Sequence, residues 1–83
     1  MKQLYIYAYP AQMITFQLIN NNQGEENVNC AFYDIVLTTK RFLDSHSIDT
    51  IFIVGTTDYA AKVEELVTDR FSNIVIIERV KND

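Results

Sequence analysis

Residues 48–77 read IDTIFIVGTTDYAAKVEELVTDRFSNIVII, and the fold is decided here. Ile51, Phe52, Ile53 and Val54 are continuously apolar and Gly55 follows them, the pattern of a central strand buried on both faces and paired in parallel. Thr57 or Asp58 is placed to cap a helix in which Ala60, Val63, Leu66, Val67 and Phe71 face inward while Lys62, Glu65 and Asp69 face water. Ser72 and Asn73 end that helix, and Ile74 to Ile77 form a last strand, after which Glu78 to Asp83 trail off charged. A strand, helix and strand in this order give two parallel strands joined by a right-handed crossover.

Upstream, the helical period continues from Asp34 to about Ser45, with Ile35, Val36, Thr39, Phe42, Leu43 and His46 recurring at three and four residues. Asp34 sits where a carboxylate suits the positive end of a helix. Before it the period is two. Leu4, Ile6 and Ala8 alternate with Tyr5, Tyr7 and Tyr9, which predicts a strand over 4–9. Pro10 and Ala11 mark a tight hairpin, and Ile14, Phe16 and Leu18 against Thr15 and Gln17 predict a second strand over 13–19. Asn20 to Gly24 is the one clear polar loop. Val28, Cys30 and Phe32 then suggest a short third strand. The order is β-β-β-α-β-α-β, an α/β fold with a single mixed sheet of four to five strands.

Both crossovers advance the same way across that sheet, which places both helices on one face. No third helix is left to cover the other. Apolar side chains of this size gain about 1.5 to 3 kcal/mol each on burial, so an uncovered apolar face favours self-association or a protein partner.

The 83 residues make one domain, 1–83, since the allowance is roughly 100 to 200 residues per domain. With 48% apolar residues and only two glycines and one proline, the chain is too apolar for disorder. Seven basic against eleven acidic residues give a net charge of -4, which disfavours nucleic-acid binding through phosphate neutralisation. One cysteine, Cys30, and one histidine, His46, are too few for a zinc site of those two types. The lone thiol fits a reducing cytosol. MKQLYIYAYPAQMITF is interrupted by tyrosines and lacks a small-residue cleavage site, which argues against a signal peptide, and no apolar run approaches the roughly 20 residues of a membrane helix. A cytoplasmic protein is the expectation.

Three strands, helix, strand, helix, strand is similar to the ribonuclease H-like fold shared by ribonucleases, resolvases and actin-like ATPases. Residues 48–77 resemble the strand, glycine turn and helix near the nucleotide site of the actin-like ATPases. Asp58 follows the glycine turn of Gly55, Thr56 and Thr57 at the carboxyl end of a central strand, the place where open α/β sheets bind ligands, and Asp34 at the start of the first helix is placed to approach it. Those families carry two glycines at the turn, whereas Thr56 and Thr57 follow Gly55 here. LYIYAY holds no acidic residue where ribonucleases of this fold place a metal-binding aspartate.

Each candidate also has a plainer role. Asp34 and Asp58 are two carboxylates where Mg²⁺ sites assemble three or four hard oxygen ligands, and helix capping accounts for both. Gly55 to Thr57 offer backbone N–H groups to a phosphate, although a tight strand-to-helix turn needs the same residues. His46 suits a helix C-terminus, and Cys30 suits a core. Tyr5, Tyr7 and Tyr9 form an aromatic row without accompanying cations, which fits a protein interface better than stacked bases. The expectation is a small noncatalytic interaction domain that self-associates or binds a partner through the tyrosine face, with no catalytic residues, metal or cofactor. The alternative is a minimal ribonuclease H-like metal-dependent nuclease or nucleotide-binding domain acting at Gly55 to Asp58.

Overall fold

The computed structural model describes residues 1–80, in which one five-stranded mixed sheet carries two helices. The strands are β1 (Lys2–Ala8), β2 (Ile14–Asn20), β3 (Gln23–Cys30), β4 (Ile48–Gly55) and β5 (Ile76–Val80), and the helices are α1 (Ile35–Ser45) and α2 (Thr57–Phe71). Across the sheet the order is β3-β2-β1-β4-β5. β1, β2 and β3 form an antiparallel meander, and β4 joins β1 in parallel with β5 parallel beyond it.

β1 and β2 alternate as their sequences require. Leu4, Ile6, Ala8, Ile14, Phe16 and Leu18 are fully buried, while Tyr5, Tyr7, Thr15 and Gln17 between them are half-buried. From β4 the same layer receives Ile51 and Ile53, and onto it both helices lay Ile35, Phe42, Ala60, Val63, Val67 and Phe71 as one core. Phe42 of α1 stacks on Phe16 of β2 with ring centroids 5.7 Å apart. Both helices therefore cover one face of the sheet, as the directions of the two crossovers require.

Several boundaries differ from the sequence reading, β1 running Lys2–Ala8 instead of 4–9 and β2 Ile14–Asn20 instead of 13–19. The polar loop shrinks to Asn21 and Asn22, with φ of 52° and 68°, the two-residue hairpin turn in which both central residues take positive φ. Gln23 and Gly24 consequently belong to β3, which runs ahead of Val28 and stops at Cys30, and Phe32 opens a single 3-10 turn, Phe32–Asp34. Glu25 and Glu26 lie on this edge strand. The last strand begins at Ile76 and takes in Glu78 and Arg79, while Ile74 precedes it and is 69% exposed. The remainder of the expected charged tail lies outside the described residues.

No helix among the described residues is long and apolar enough to cross a membrane.

Candidate functional site

The pairing register turns the uncovered face into a grid. One row crosses the strands as Asn27, Gln17, Tyr5, Phe52 and Glu78, and the next as Asn29, Thr15, Tyr7, Val54 and Val80. A third, on the other side of the Tyr5 row, runs Ile19, Gln3, Thr50 and Ile76. The face is graded: amides and hydroxyls occupy β2 and β3, while aromatic and aliphatic side chains gather on β1, β4 and β5. In these three rows Glu78 alone is charged.

Tyr5 stacks on Phe52 with centroids 4.9 Å apart and on Tyr7 at 6.1 Å. The Tyr7 hydroxyl donates to Gln17 Oε1 at 3.0 Å. Burial, then the neighbouring Tyr5 and Tyr9 phenols, pushes the Tyr7 hydroxyl above its ordinary 10.0, so that hydroxyl stays a neutral donor across the physiological range. These rings partly shield one another and Val54, which is 8% exposed. The uncovered face thus leaves less apolar surface wet than four consecutive apolar residues suggested. At its margin Ile76 remains 61% exposed.

Phe52 completes the aromatic cluster and was not singled out in the sequence. Inside IFIV its direction is set only once β4 is registered against β1, with Tyr5 opposite Phe52. Tyr9 lies one residue past the end of β1 and is half-buried.

The glycine turn lies where β1 and β4 end. Gly55 pairs with Ala8, and a Cβ at Gly55 would stand 1.9 Å from the Ala8 carbonyl oxygen. Close backbone approach is a sufficient reason for glycine here. Thr56 is the N-cap of α2 and Asp58 lies in its first turn, but Thr56 makes no side-chain capping bond. Asp34 occupies the N-cap of α1, also without a side-chain bond. Phe32 and Tyr59 stack at 5.7 Å and bring the two helix starts together. Thr56, Thr57, Asp58, Tyr59 and Lys62 line an open recess with Pro10. Among the described residues no three metal-binding side chains group together.

A third cluster went unread in the sequence. Lys2 Nζ lies 3.1 Å from His46 Nδ1 and 3.5 Å from Glu25, and His46 Nε2 lies 3.8 Å from Glu26. The His46 side chain therefore ties α1 to β1 and β3, while only its backbone N–H closes the helix, onto Phe42 O. Glu26, Val28, Thr38, Arg41 and Phe42 border a cleft beside it. Cys30 is buried nearby, and burial raises its thiol above the ordinary value against a smaller, opposite effect of the Thr38 hydroxyl. That favours the protonated thiol over a nucleophile.

Neither a protein-family model nor a curated protein matches the chain.

Proposed function

We propose that the chain is a small noncatalytic interaction domain that holds a protein, a second copy or another partner, against the open face of its sheet. The observation that carries this reading is the neutral aromatic cluster of Tyr5, Tyr7 and Phe52, bordered by Ile76 and Val80 and fringed by Gln3, Thr15, Gln17 and Asn27. Protein interfaces favour this arrangement, with tyrosine and phenylalanine enriched and charge depleted at the centre inside a polar rim. Phosphate-bearing partners need cations, and the three rows supply none.

Sedimentation equilibrium tests the reading. A mass above 9.6 kDa that Tyr7→Glu returns to monomer, while Tyr7→Phe does not, supports it. A monomer at high concentration that retains nothing in pull-downs counts against it.

The element order, and the sheet that grows from β1 through two parallel crossovers, support a ribonuclease H-like assignment of the fold. A buried single thiol suits work in the cytoplasm. A second reading draws on the recess at Pro10, Thr56, Asp58 and Lys62, because ligands of open α/β sheets sit beyond the carboxyl ends of the strands. It makes the chain a nucleotide or metal binder acting at Gly55 to Asp58 with Asp34. Thermal shift with ATP, Mg²⁺ and Mn²⁺ tests it, since a ligand at 100 times its Kd adds about 2.7 kcal/mol.

A further inference from the structure

We infer that the occupant of the open face is a second copy of this chain, laid sheet on sheet about a two-fold axis that runs perpendicular to the strands. The inference rests on the interaction reading above and names its partner and geometry. Charge argues first for a copy. The three rows hold one carboxylate and no cation, so the face gives neither a basic nor an acidic partner a handle, whereas a two-fold contact pairs a neutral face with the same neutral face.

Area and grading then choose the axis. Five strands at about 4.8 Å and six residues at about 3.3 Å span roughly 24 by 20 Å, about 1,000 Å² over two copies, where specific interfaces begin. A two-fold along the strands over β1 keeps that area but lays Phe52 on the partner's Gln17 and Glu78 on the partner's Asn27, apolar on polar. Moved over β4, it brings the apolar halves together but covers only three strands, roughly 600 Å², the size of a packing contact. The perpendicular axis through the Tyr5 row meets both demands. It stacks β1, β4 and β5 on their own counterparts and sets Ile76 over the partner's Val80, the sheets lying about 10 Å apart with roughly aligned strands.

This geometry sets Gln3 over the partner's Tyr7 and Thr50 over the partner's Val54, and its one like-charge contact, Glu78 facing the partner's Glu78 at the β5 margin, is its signature. Glu78→Gln tightens the dimer by roughly two- to fivefold, the value of relieving directly opposed like charges. In the other two arrangements Glu78 faces Asn27 or Tyr5, and the substitution leaves the dimer constant unchanged. In a Cys30→Ala background, a bis-maleimide matched to the roughly 10 Å sheet spacing joins Glu78→Cys to itself. Mixing Glu78→Cys with Asn27→Cys protein then gives no mixed product. A mixed 78–27 product, or an unchanged constant for Glu78→Gln, overturns this axis while leaving the face as the docking surface. A dimer that persists in Tyr7→Glu overturns the face itself, and a monomer at all concentrations overturns the second copy as occupant.

Discussion

A Cβ at position 55 would meet the backbone oxygen of Ala8 at 1.9 Å, and relief requires β1 and β4 to part. Gly55→Ala is expected to destabilise the fold by about 3 kcal/mol, the upper range of overpacking; an unchanged urea midpoint contradicts this close approach. At the other end of the sheet the Asn20 amide donates to Glu25 Oε1 at 3.0 Å. That bond, first among the causes, holds the Glu25 carboxyl below its ordinary 4.5 against the opposing effect of desolvation, and Lys2 adds to the lowering. A carboxyl lowered by folding stabilises the fold above its unfolded value, and the contribution is lost as pH falls through the lower folded value. Asn20→Ala is therefore expected to raise the Glu25 titration midpoint toward 4.5 by NMR, and an unmoved midpoint contradicts the role of this bond.

Between elements, Phe42 carries α1 onto the meander. It is 5% exposed and stacks on Phe16 with an interplanar angle of 6°. Phe42→Ala is expected to cost about 3 to 5 kcal/mol, seen as a lower denaturant midpoint, with loss confined to near 1 kcal/mol contradicting its place in the core. β4 and α2 were legible because a continuous apolar run and a clean helical stripe each state how they are buried. β3 was only half legible. QGEENVNC has one side chain, Cys30, under 9% exposed, so the strand is fixed by the Asn21–Asn22 turn and by pairing with β2 instead of by its own pattern. The tyrosine row was legible from period two alone. Phe52 was not, because its neighbours come from register, and neither was the Lys2, His46 and Glu26 cluster, which joins three elements distant in the chain.

At the scale of the molecule, a net charge of -4 is carried away from the aromatic rows, leaving Glu78 as their single charge. Association through that face is expected not to weaken between about 50 mM and 500 mM salt, since screening removes only repulsion; an ion-pair interface loses affinity over that range. A dimer loosened by salt would place the contact on the charged helices or the β3 edge. The sheet order has another consequence. Leu4 pairs with Ile51 and Ile6 with Ile53, so the middle of the structure closes only when distant segments meet, the slow kind of contact in folding. A chain leaving the ribosome carries its first three strands with Leu4, Ile6, Ile14, Phe16 and Leu18 still in water until the later half arrives. Fragments cut before β4 will clump instead of forming a smaller domain, and the protein is made whole or not at all.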